Sequence, residues 1–194
     1  MRITRRLVIL AGSLALSVVP FVASTTAVVS AQVAPLLLQH MVGTWNVQQR
    51  MWPGAGAKAV PLPPAVARRL LVGGAFLQEV MTSAPGVQPA FTRIAYVDAN
   101  PVNQEYEYFS LDTRAPQMMN ERSSSTAATA RAMTLNGGTF VAPRWGEGKN
   151  VAFRYRLVLG PIANKQQVVQ LYLTPVSGAN AKEFLAFEYV YTKA

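Results

Sequence analysis

The chain contains no cysteine and a single histidine, His40. The first absence excludes disulfides, a thiolate metal site, a cysteine nucleophile and a lipidated cysteine. The second excludes a metal site built from several histidines. Acidic residues are also scarce, 9 against 18 Lys and Arg, so the formal net charge is +9. Beyond the N-terminus no segment carries a long helical period, and there is no internal repeat. The basic residues are scattered, with only Arg68 and Arg69 adjacent in the candidate domain. A nucleic-acid binder concentrates its charge on one face or run, so this dispersion speaks against such a partner.

The first six residues carry Arg2, Arg5 and Arg6. An uncharged stretch rich in Leu, Val, Ala and Ile follows, and small residues lead to Val29-Ser30-Ala31. A basic head, an apolar middle and a small-x-small end, in that order, predict a secretory signal cleaved after Ala31. The chain is then exported, to the periplasm or beyond, and residues 32–194 have no stable membrane insertion. The rival reading is an uncleaved N-terminal anchor, since no charge appears between Leu7 and Arg50. Pro20 and the polar residues Ser24 to Thr26 tell against it. Thr4-Arg5-Arg6-Leu7 also resembles a twin-arginine export signal. Removing 1–31 takes three basic residues away, and the remaining 15 against 9 acidic leave +6 on 163 residues. That length allows one domain with one substantial core.

The mature part reads as strands and turns. Pro35 to Met41 suits one short helical turn. From Trp45 the chain alternates: Trp45, Val47, Gln49 and Met51 on one face, Asn46, Gln48, Arg50 and Trp52 on the other. Period two predicts a strand. Pro53 to Pro64 reads as a loop. Further strands are predicted at 69–81, 91–98, 104–112, 117–121, 132–135, 139–141, 151–159, 167–174 and 183–192. Between them stand Ala84-Pro85-Gly86, Asn100-Pro101, Asn136-Gly137-Gly138, Gly146-Glu147-Gly148 and Ser177-Gly178-Ala179-Asn180 as turn signals. The expected fold class is all-β: an antiparallel up-and-down barrel of about 8–10 strands, preceded by the signal helix. Closure removes the edge strands that an open sheet must protect, and Gly73-Gly74 within a strand suits a barrel corner.

Several motifs stand in a recognisable order: Val42-Gly43-Thr44-Trp45, Met51-Trp52-Pro53, Gly73-Gly74-x-Phe76-Leu77, Tyr96-Val97-Asp98, and the ending from Lys182-Glu183-Phe184 to Tyr191-Thr192-Lys193. Over about residues 38–193 the chain resembles the DUF1579 family, bacterial proteins of no settled activity that resemble lipocalin-like (calycin) barrels. The resemblance implies a fold more than a function. It also implies that Trp45 closes the barrel floor beneath a basic residue of the last strand, here Lys193. Family members often carry arginine at that place, and often a basic residue where this chain has Ala75.

The candidate function is non-covalent binding of a small apolar or amphipathic molecule inside the barrel. The candidate ligand-binding residues are Trp45, Trp52, Tyr96, Tyr108, Arg93, Arg154, Tyr155 and Glu188, aromatics to bury the ligand and charges to orient it. Core filling by the same rings is the alternative, which gives an interaction module; an enzyme acting on a hydrophobic substrate is a third. Glu188 lies on a strand with two apolar faces and needs a cation, for which Arg93, Arg154 and Arg156 are candidates. Glu105 and Glu107 share a face and read as surface residues, with Tyr106 and Tyr108 opposite. Met51, Met81, Met118 and Met119 suit a deformable lining. Related haem-carrying barrels use a histidine near the C-terminus; His40 precedes the first strand and reads as a surface or capping residue. No catalytic residue, cofactor or metal ligand is assigned, and Ser123-Ser124-Ser125-Thr126 lacks the glycines of a phosphate loop.

Overall fold

The structure, a computed structural model, describes residues 36–122, 132–145, 148–177 and 181–194, with 116–122 described as backbone. The signal segment with its cleavage site, the Ser123 to Thr126 stretch, and the turn residues 146–147 and 178–180 lie outside the described residues, as do the side chains of Met118 and Met119.

The predicted helical turn is α1, Leu36–Met41. Ten strands follow: β1 Gly43–Met51, β2 Val60–Val72, β3 Phe76–Ser83, β4 Thr92–Asn100, β5 Glu105–Asp112, β6 Ala115–Arg122, β7 Met133–Trp145, β8 Gly148–Leu159, β9 Gln166–Pro175 and β10 Phe184–Lys193. Each pairs antiparallel with the next, and β1 closes on β10 with Trp45 opposite Lys193 and Met51 opposite Phe187. The expected up-and-down barrel is therefore the fold.

Alternation builds the wall. Trp45, Val47 and Gln49 are buried on β1 while Thr44, Asn46, Gln48 and Arg50 are exposed, as period two requires. On β4 Arg93, Ala95, Val97 and Ala99 point in; on β8 Phe153, Tyr155, Leu157 and Leu159 do. Small residues on β2 and β4 (Ala65, Ala67, Ala95) share one buried cluster with the tyrosines of β5 and β10 (Tyr106, Tyr108, Tyr189, Tyr191), a mix of sizes that suits a barrel interior.

The structure corrects three readings of the sequence. Gly73 and Gly74 do not bend a strand. Both have positive φ, 60° and 74°, and they turn the chain between β2 and β3, so the predicted strand 69–81 is two strands. Conversely, Asn136-Gly137-Gly138 is no turn. The register between β7 and β8 shifts there, between Asn136 and Thr139, and β7 continues through it. A Cβ on Gly137 would stand 2.1 Å from the Tyr155 ring, so the missing side chain makes room for that ring. Third, the proline-rich stretch is half strand: β2 starts at Val60. Pro63 and Pro64 fall where the register between β1 and β2 shifts, a place that needs no ladder N–H from them.

The two barrel ends differ. At the end where β1 begins, Leu38 and Met41 of α1 are fully buried among Trp45, Leu77 and Leu135. The Trp45 indole N–H donates to the Met41 carbonyl at 2.9 Å, which ties α1 to the wall. At the other end the interior is not filled.

Candidate functional site

The unfilled half is a cavity of about 690 Å³, within the range of small-molecule sites. Its sides are Met51, Leu62, Phe140, Leu171, Leu173 and Phe187 from five strands of the wall. Exposed Pro63, Pro89, Pro143 and Arg144 form the rim. Trp145 stands at the end of β7, with its ring centroid 5.3 Å from Phe153 and 5.8 Å from Phe187. Its indole N–H donates to the Pro53 carbonyl at 2.8 Å, which fixes the ring against the loop after β1. Phe187 stacks on Tyr189 at 6.2 Å.

Polar groups are few and mostly paired. At the mouth Arg114 binds Asp112 at 2.6 Å, lies over the Phe91 ring at 3.7 Å and donates to Gln49 Oε1 at 3.1 Å. Gln49 in turn donates to the Pro63 carbonyl at 2.7 Å. Ser110 is buried and lines the cavity. The inner end is formed by Arg93 and Tyr108, whose hydroxyl accepts from Arg93 Nη2.

Arg93 and Tyr108 also border a space of only about 20 Å³ beneath, shared with Arg69, Glu79 and Tyr191. These residues form a buried network. Arg69 Nε donates to Glu79 Oε2 at 2.7 Å and its Nη1 to Gln167 Oε1 at 2.6 Å. Gln167 Nε2 donates to the Gly160 carbonyl at 3.0 Å, and the Tyr191 hydroxyl to Glu79 Oε1 at 3.3 Å. Arg93 Nη1 is 3.7 Å from Glu79 Oε1. The Arg69 guanidinium lies 4.0 Å from the Tyr191 ring centroid and 5.3 Å from that of Trp45.

Burial disfavours every charge here, and the neighbours override it. Burial raises the Glu79 carboxyl, but Arg69, Arg93 and two hydrogen bonds bring it below its ordinary value. Burial disfavours charge on Arg69, yet Glu79 holds its pKa above the usual. For Arg93 burial is outweighed by Tyr108, Tyr191 and Glu79. All three are ionised at neutral pH. Burial pushes the Tyr189 and Tyr191 hydroxyls up, so both stay protonated.

The family model described as "Protein of unknown function (DUF1579)" matches residues 33–193. The chain belongs to the DUF1579 family. Among curated proteins, none matches it. The DUF1579 motifs named above fall largely on the floor and on strand ends. Trp45 lies fully buried at the floor, with Lys193 Nζ 5.4 Å from its ring centroid, the pairing that the resemblance implies.

Of the expected ligand-binding residues, the structure brings Arg93 and Tyr108 together at the cavity's inner end. Trp45 belongs to the floor, and Tyr155 is buried against Phe140 and Gly137. Trp52 is half-buried and does not line the cavity. Tyr96, Arg154 and Glu188 have the other strand parity and face outward. Tyr96 accepts from Gln78 Nε2 at 2.5 Å, and Arg154 is exposed. Glu188 takes its cation from Arg50, at 3.9 Å on the outer wall, and a hydrogen bond from Gln170 at 3.0 Å; Arg93 is inside and Arg156 is bound to Glu183. Glu105 and Glu107 face out, with Tyr106 and Tyr108 in. Met51 lines the cavity, whereas Met81 is buried away from it. His40 is exposed on α1, and among the described residues no three of His, Asp and Glu are placed to hold a metal ion.

Arg69 and Glu79 were not singled out as partners by the sequence reading. Their signal was parity: Arg69 continues the inward series Ala65, Ala67, and Glu79 sits between the inward Leu77 and Met81. A charge on the apolar parity of each of two neighbouring strands marks a buried pair.

Proposed function

We propose that the barrel binds one small apolar or amphipathic molecule non-covalently in its cavity, and that residues 1–31 export it. The observation that carries the binding reading is the cavity of about 690 Å³, walled by aromatic and aliphatic side chains and bordered by few polar groups. Apolar surface moved from water into such a space contributes roughly 25 cal/mol per Å². An interaction module with a filled core would have no such space. The leader 1–31, with its basic head and small-x-small end, supports export.

Native mass spectrometry of the protein purified gently from its exporting host tests both parts. The expected spectrum shows the polypeptide 32–194 plus an added mass that denaturation removes. A bare polypeptide that also takes up none of a panel of amphiphiles overturns the binding reading. A mass that retains Met1 to Ala31 overturns cleavage.

A further inference from the structure

The open end of the barrel carries a ring of groups that the interior does not use. By the antiparallel order of the strands, the connections after β1, β3, β5, β7 and β9 all lie there. Val60, Pro61, Pro63, Pro89, Pro143 and Val176 are exposed around it. The prolines have no backbone N–H, so moving them out of water leaves no donor unpaired. Lys58, Arg144, Lys149 and Lys182 are exposed at the same end. Arg144 and Lys149 stand directly opposite each other across β7 and β8, a like-charge pair that weakens a sheet. The nine acidic residues of the chain leave this positive charge largely uncompensated. Glu79 is buried, and Glu188 is on the outer wall beside Arg50. Asp98, Glu105, Glu107 and Glu121 lie toward the floor ends of β4, β5 and β6. Asp112 is bound to Arg114, and Glu183 to Arg156. Glu147, between β7 and β8 in the sequence, counted at full charge against the four cations still leaves +3.

We propose that this mouth is a docking surface for an anionic lipid bilayer, held peripherally with the rim against the headgroups. Such a bilayer meets both features at once. Its negative surface attracts the four cations. The boundary between headgroups and acyl chains takes shallow apolar groups such as Val60, Pro89 and Val176. Binding at that boundary grows with the apolar area buried and with the attraction to anionic lipid, so the two contributions act together. The docking stands on the rim and needs no occupant in the cavity. For the ligand proposed above it has one consequence: the opening faces the bilayer, so an amphiphile passes between the two without crossing water.

The test is co-flotation of the protein, purified from its exporting host, with vesicles of phosphatidylcholine alone and of phosphatidylcholine mixed with phosphatidylglycerol. The expected binding to the mixed vesicles is at least about tenfold stronger than to the neutral ones, and added salt weakens it. Lys149→Glu combined with Lys182→Glu removes that preference; both side chains are exposed and neither lines the cavity. Tryptophan emission reports which end docks. Trp52 follows β1 and Trp145 ends β7, both at the mouth, whereas Trp45 is fully buried at the floor. Brominated phosphatidylglycerol quenches the natural protein, and the quenching disappears in Trp52→Phe combined with Trp145→Phe. Equal binding to both vesicles, as an attached 1–31 segment would give, overturns the proposal. So does a preference that survives the charge reversal, or quenching that survives loss of both mouth tryptophans. Absence of binding to either vesicle also overturns it and leaves the ligand-binding reading standing. The charge-reversed protein decides the matter even where the tryptophan variant does not fold.

Discussion

At the scale of single residues, Glu79 holds the interior polar network together. It neutralises Arg69, attracts Arg93 and accepts from Tyr191. Its carboxyl is held below its unfolded value of 4.5 despite burial. Between those two values the unfolded chain binds more protons than the folded one, so stability rises with pH there. The contribution of the charge is complete above about pH 4.5 and is lost as pH falls through the lower folded value. Glu79→Gln removes this dependence. We expect Glu79→Gln to be less stable than the natural protein at neutral pH, with the difference constant down to the ordinary carboxylate range and shrinking below it. Urea unfolding at a series of pH values measures this, and a difference that does not change with pH would show that charge is not what Glu79 supplies.

At the scale of elements, the chain states its strands clearly and its joints poorly. Strands such as β1 and β5 were legible because water on one side and core on the other impose period two on the side chains. Glycines were misleading because the same residue serves two needs. Gly73 and Gly74 supply positive φ at a turn, whereas Gly137 supplies empty space beneath the Tyr155 ring; sequence alone displays both as a double-glycine pair. Gly74→Val separates the two uses. It has free space around it but a φ of 74°, so the change is expected to destabilise by about 1–2 kcal/mol from backbone conformation alone. A melting or urea titration checks this, and a neutral effect would mean that the turn relaxes to another form. The candidate site was legible only in part for a related reason. Aromatic residues were chosen by type, but the wall sorts them by parity, so Tyr108 lines the cavity while Tyr96 faces outward. Parity across the β4–β5 pair, with Arg93 opposite Asp112 and Ala95 opposite Ser110, was the information that the residue types lacked.

At the scale of the whole molecule, the barrel has a packed half and an unfilled half. The packed half holds α1, Trp45 and the buried network, and it supplies the stability that a chain without disulfides needs. The unfilled half is then free to be shaped without unfolding the rest. Ala142→Trp tests that separation. Ala142 lines the cavity and is buried, so an indole there would fill the space proposed for the ligand. We expect amphiphile binding to weaken at least about tenfold while the fold persists, read by calorimetry and circular dichroism. Unchanged affinity would place the ligand elsewhere. Because α1 stoppers one end of the barrel, the molecule we propose as its ligand would enter at the opposite mouth. On that reading, a protein or membrane that receives the ligand would meet the barrel at the rim lined by Pro63, Pro89, Pro143 and Arg144.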